Sequence, residues 1–126
     1  MVDSRIPVLV VDDDLINRLV LKMHMGKDKF KITEAENGLI AFNFILEKPE
    51  IKHVLLDLNM PVMDGFLFIE QCNKHIPDRK LKIHVTSAYS ERDFLVYVAE
   101  RKINIDNVIN FFSKPYPMGQ LLKCLD

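Results

Sequence analysis

Apolar runs and stretches of helical periodicity alternate along this 126-residue chain from one end to the other. Pro7 to Val11 is nearly all apolar, as is Val54 to Asp57 up to its final carboxylate, and such runs read as strands buried on both faces. Phe30 to Ala35 alternates apolar and polar, the pattern of an edge strand with one solvated face. Leu81 to Ser87 and Val108 to Phe112 complete a set of five strands. Between them the spacing changes to that of helices. Ile16, Leu19, Val20 and Met23 mark the apolar positions of a first helix from Leu15 to near Gly26. Asn37-Gly38 opens a second helix carrying Ala41, Phe42, Ile45 and Leu46, which stops before Pro49. A third runs from about Gly65 to His75 with Phe66, Phe68, Ile69 and Cys72 inward. Ser90, with Asp93 three residues on, opens a fourth from Glu91 to about Lys102, and a short fifth spans Met118 to Leu125. Unbroken alternation of strand and helix predicts an α/β fold, a parallel sheet with helices on both faces and right-handed crossovers.

The fourth helix departs from a simple amphipathic pattern. Phe94 to Val98 is apolar throughout, so more than one face is greasy. Two explanations stand: deeper burial by the following Asn104–Asn107 loop, or a face that binds a partner.

Composition narrows the class. The length suits one domain with its own core, and 48% hydrophobic with 28% charged residues is ordinary for a globular chain. A net charge of -1 offers no basic surplus for nucleic acid, and no helix-turn-helix segment is evident. No signal peptide or membrane span is legible, and Cys72 and Cys124 lack ligand spacing, so reduced thiols in a cytoplasmic protein are expected. His24, His53, His75 and His84 are scattered and read as structural or surface residues.

The chemistry gathers at strand ends. The first strand runs into Asp12-Asp13-Asp14, the third ends on Asp57, the fourth on Thr86-Ser87, and Lys114 follows the fifth. In a parallel sheet these ends share one edge, where open α/β sheets bind ligands. Asp14 suits a helix cap. Adjacent acids such as Asp12 and Asp13 repel one another unless a cation neutralises them, and an all-oxygen set suits Mg²⁺. Three carboxylates, a hydroxyl and an ammonium form a kit for phosphoryl transfer, with one acid as nucleophile and cations cancelling the phosphoryl charge.

Val11-Asp12-Asp13, Asp57-Leu58-Asn59-Met60-Pro61 with Asp64-Gly65, Ser87-Ala88 and Lys114-Pro115 together resemble the receiver domain of two-component response regulators. The resemblance runs from Val8 to about Leu122. It implies a flavodoxin-like sheet in the order 2-1-3-4-5. It implies that Asp57 is the phosphoacceptor for a histidine kinase or phosphotransfer protein. Asp12, Asp13, Asp57 and the Asn59 carbonyl would hold Mg²⁺ or Mn²⁺, Lys114 would contact the phosphoryl oxygens, and Ser87 would move to hydrogen-bond them. Pro115 would follow a cis peptide. Phe111, three residues before Lys114, would be an aromatic switch residue, relaying phosphorylation to a downstream protein through the fourth helix, fifth strand and fifth helix. Asn59 and Tyr89 would tune the lifetime of the phosphoryl group. The expected unit is one receiver domain over residues 1–126 with no output domain, a signalling phosphoacceptor rather than an enzyme, acting without direct contact to nucleic acid or membrane.

Two rivals differ in class. A phosphohydrolase of the haloacid dehalogenase type takes its nucleophile from the first strand in an Asp-x-Asp pattern, whereas here the first strand carries adjacent acids and the nucleophile lies on the third. A receiver-like interaction module that is never phosphorylated is the alternative. Such modules usually lose an acid, the acceptor or the lysine, all of which are present here.

Overall fold

The computed structural model describes residues 3–125. Five strands and five helices alternate: β1 (Ile6–Val11), α1 (Leu15–Met25), β2 (Phe30–Ala35), α2 (Gly38–Glu47), β3 (His53–Asp57), α3 (Gly65–His75), β4 (Lys82–Ser87), α4 (Glu91–Arg101), β5 (Val108–Ser113) and α5 (Met118–Lys123). The strands form one parallel sheet in the order β2-β1-β3-β4-β5, so the flavodoxin-like order implied by the resemblance is the one observed. All five strands therefore end on one edge.

Alternating side chains of the strands feed two cores. Leu9, Val11, Val54, Leu56, Ile83 and Val85 face one side and pack with residues of α2, α3 and α4. Val8, Val10 and Leu55 face the other, under Leu21 and Met25 of α1 and Leu121 of α5. β3 is buried along its whole length, as its apolar run requires. Caps set the helix starts: Asp14, Asn37, Asp64 and Ser90 each accept a backbone N–H from the first turn of the following helix.

Three expectations change. The α1 positions Ile16, Leu19, Val20 and Met23 do not face the core: all are exposed, Met23 by 80%, while Leu21 and Met25 are buried. α1 is apolar on more sides than its one covered face needs, so periodicity alone picked the wrong stripe. On α4 the apolar run divides: Phe94 and Val98 are buried, whereas Leu95 and Val96 are exposed. Burial by the following loop therefore accounts for only part of it. α5 also closes earlier than expected, at Lys123.

Candidate functional site

β1 and β3 deliver the carboxylates. The Asp12 N–H donates to Ala35 O at 3.0 Å, extending the β1–β2 ladder by one residue and burying Asp12 at the sheet edge. The chain then turns: Asp14 N–H donates to Asp12 Oδ1 at 2.9 Å, and Asp14 caps α1. Asp13, between them, is exposed. Asp57 is the last residue of β3, is 7% exposed and lies in register with Thr86 of β4. Beyond it the loop folds back, with Gly65 N–H donating to Leu58 O at 3.0 Å. A Cβ on Gly65 would lie 2.5 Å from the Asp57 carbonyl oxygen, so only glycine lets α3 start so close to the end of β3.

β5 delivers the cation. Lys114 N–H donates to Ser87 O at 2.7 Å, and the Lys114–Pro115 peptide is cis, as the resemblance implied. The Lys114 ammonium bridges two acids, with Nζ 3.3 Å from Asp12 Oδ2 and 3.4 Å from Asp57 Oδ2. Carboxylate oxygens of Asp12, Asp13 and Asp57 all lie within 4.8 Å of one another.

This crowding has an electrostatic signature. Burial pushes the Asp57 carboxyl up; the Asp12 charge adds to the rise, while Lys114 and the Asn59 N–H pull against it without cancelling it. Burial works against the charged Lys114 ammonium, but Asp12 and Asp57 outweigh it and hold Lys114 above its ordinary value. One ammonium does not neutralise three clustered carboxylates. The set offers only hard oxygen donors, two of them on buried residues, and so fits a small divalent cation such as Mg²⁺.

The remaining candidates surround this centre at varying remove. Asn59 is exposed, with its N–H 3.4 Å from Asp57 Oδ1. Ser87 is buried, and its Oγ accepts the Tyr89 N–H at 3.0 Å. The Tyr89 side chain is exposed and, with Asn59, Leu58 and Phe66, lines a cavity of about 300 Å³. Phe111 points into the α4 side of the sheet against Phe94, with ring centroids 5.2 Å apart. Phe94 in turn stacks on Phe66 at 5.8 Å, and Phe66 meets Tyr97 at 4.2 Å.

Two residues at the site carried no signal in the sequence. Arg18 donates to the Asp12 carbonyl at 2.6 Å, and the Asn17 amide lies 3.4 Å from Asp12 Oδ2. Both contacts depend on how α1 docks after the turn, which spacing does not reveal.

A family model described as the response regulator receiver domain matches residues 8–126. The sporulation initiation phosphotransferase F of Bacillus subtilis is 27% identical over 115 residues, covering 90% of this chain and 86% of that protein. A probable chemotaxis protein CheY of Rhizobium etli is 27% identical over 124 residues, covering 98% and 92%. A response regulator receiver protein of Pseudomonas putida superposes with a TM-score of 0.79 at 26% identity, over 97% of this chain and 96% of its own. With a doubly wound sheet in the matching strand order and the family model spanning nearly the whole chain, this protein belongs to the response regulator receiver domains of two-component systems.

Proposed function

We propose that this receiver takes a phosphoryl group onto Asp57 from the phosphohistidine of a histidine kinase or phosphotransfer protein, in a reaction that requires Mg²⁺ or Mn²⁺. The observation that carries this reading is the Lys114 ammonium between Asp12 and Asp57, beside a triad of carboxylates within 4.8 Å. An Asp57 oxygen attacks phosphorus, the P–N bond to the donor imidazole breaks, and its electron pair stays on the imidazole nitrogen. The product is an acyl phosphate.

Asp12, Asp13, Asp57 and the Asn59 carbonyl would hold the divalent cation, whose charge lowers the repulsion between the carboxylate and the phosphoryl oxygens. Lys114 adds a second positive charge from the β5 side and needs no rearrangement to do so. The burial that raises Asp57 also excludes water from its flanks, which strengthens both attractions. Positioning and charge are what such a transfer needs from the protein, which is why the chain acts as a phosphoacceptor that assists its own modification rather than as an enzyme.

The output follows from the groups behind the acceptor. The Ser87 Oγ leaves the Tyr89 N–H from which it accepts and donates its hydroxyl proton to a phosphoryl oxygen, the β4–α4 turn moves, and Phe111 with its ring neighbours resettles. The balance between two pre-existing arrangements then shifts and alters the α4–β5–α5 surface for a downstream protein. Leu95 and Val96 of α4 and Ile109 of β5 already give that surface an exposed apolar character. On this reading the chain works in the cytoplasm, where Cys72 and Cys124 remain thiols.

The test is intact mass after incubation with phosphoramidate and Mg²⁺. A single phosphoryl adduct that disappears in Asp57→Asn and when Mg²⁺ is omitted supports the reading. A folded, Mg²⁺-binding protein that never gains the adduct points to the unphosphorylated interaction module instead.

A further inference from the structure

Of the three clustered acids, Asp13 is the one with nothing of its own to hold it. Asp12 is tied through its N–H to Ala35 O and through its carboxylate to the Asp14 N–H, the Asn17 amide and Lys114, besides the hold on its carbonyl described below. Asp57 is fixed by its place in β3 and by Lys114. The Asp13 side chain is exposed and has no hydrogen-bond or ion-pair partner among the described residues, yet its carboxylate stays within 4.8 Å of two like charges. Repulsion alone would swing it into solvent, so its direction has to come from the backbone.

That backbone is clamped from one side. The oxygen of the Asp12–Asp13 peptide accepts a 2.6 Å hydrogen bond from Arg18 Nη1. The same guanidinium presents Nε to Glu34 Oε1 on β2 at 3.1 Å, and the other Glu34 oxygen takes Lys22 Nζ at 3.0 Å. Arg18 is largely buried, with its side chain 13% exposed, so the fork is anchored rather than swinging. Burial by itself would raise Glu34, but Lys22 and Arg18 outweigh it and keep that carboxyl below its ordinary value, an ionised anchor at neutral pH.

We propose that Arg18, held by Glu34 and bound to the Asp12 carbonyl, is a positioning residue that orients the Asp12–Asp13 peptide and so aims Asp13 at the cation. The inference rests on the reading above that these acids hold Mg²⁺. It also runs against simple charge. A guanidinium beside the cluster repels a divalent cation, so by Coulomb attraction alone its removal should tighten Mg²⁺ binding. A positioning role requires the opposite sign.

The experiment is calorimetric titration of the full chain with Mg²⁺, without phosphodonor, for the native protein, Arg18→Gln and Arg18→Lys. Arg18→Lys keeps the charge but cannot span Glu34 and the Asp12 carbonyl with one rigid fork. Both variants are expected to bind Mg²⁺ about tenfold more weakly, in line with the loss of groups that orient metal ligands. The Mg²⁺ concentration for half-maximal phosphorylation should rise in parallel, while the extent at saturating Mg²⁺ stays near that of the native protein. Binding by Arg18→Gln that is equal or tighter, or native affinity in Arg18→Lys, overturns the positioning role and leaves the phosphoacceptor reading intact. Should Arg18→Gln not fold, Arg18→Lys decides alone. A native protein that binds no Mg²⁺ removes both readings together.

Discussion

Tyr89 and His84 show how far single side chains extend beyond the acid cluster. Tyr89 is exposed at the mouth of the cavity it shares with Asn59, and its own N–H is held by Ser87 Oγ. A ring in that place can screen an acyl phosphate on Asp57 from attacking water. Tyr89→Ala is therefore expected to speed loss of the phosphoryl group several-fold. Decay of the adduct followed by intact mass measures this, and an unchanged rate contradicts the screening role. His84 lies on the opposite, α1/α5 face of the sheet, fully buried in β4. The Asn110 amide donates to its Nδ1 at 3.0 Å, so the His84 proton sits on Nε2 and donates to Nδ1 of His53 at 3.0 Å. Both imidazoles are thus neutral in a closed chain of donors and acceptors. Burial first, then the neighbouring His53 and Lys82, push His84 from 6.5 down to about 4. Between those values the unfolded chain binds the proton and the folded one does not, so stability falls as pH drops through that window. At about 1.4 kcal/mol per pH unit the full loss is on the order of 3 kcal/mol. His84→Leu should flatten most of that slope in denaturant titrations across the window; an unchanged slope would assign it to other groups.

At the scale of elements, the close approach of α3 to β3 matters most. Gly65→Ala would place a methyl 2.5 Å from the Asp57 carbonyl oxygen and 2.9 Å from Leu58 Cα, contacts that backbone must yield to. The expected cost is about 2 kcal/mol or more by chemical denaturation, with slower phosphorylation because Asp57 shifts with its strand. Strands and helices were readable because their periods differ and because every helix but the last begins at a polar cap. The end of each strand is readable too, so the sequence pattern alone brings Asp12, Asp13, Asp57 and Lys114 to one edge. What could not be read depends on contacts between elements. α1 offers apolar side chains all round, and only its docking decides that Leu21 and Met25 go in while Ile16 and Met23 stay out. The His53–His84–Asn110 chain needs the register of three strands, including the irregularity in β5 that sets Asn110 rather than Ile109 opposite His84. Arg18 had no motif around it, and its role exists only because α1 returns across the Asp12 carbonyl.

Across the whole molecule, the Asp57 edge of the sheet and the α4–β5 surface are joined by packing rather than by distance-spanning charges. Phe111, Phe94, Phe66 and Tyr97 form a continuous row of rings from β5 to α4, across to α3 and back to α4, and Arg101 lies 4.0 Å over the Tyr97 ring at the surface. On the proposed reading, a change in the Ser87 turn reaches α4 through these rings without the sheet deforming. Everything in that route depends on Asp57 being the residue modified. The most direct test is to treat the protein with phosphoramidate and Mg²⁺, reduce it with borohydride, which converts an aspartyl phosphate to homoserine, and map the change by peptide mass spectrometry. Homoserine at position 57 alone, and only when Mg²⁺ is present, is the predicted result. Homoserine at Asp12 or Asp13, or none at any position in a protein that binds Mg²⁺, would contradict the account.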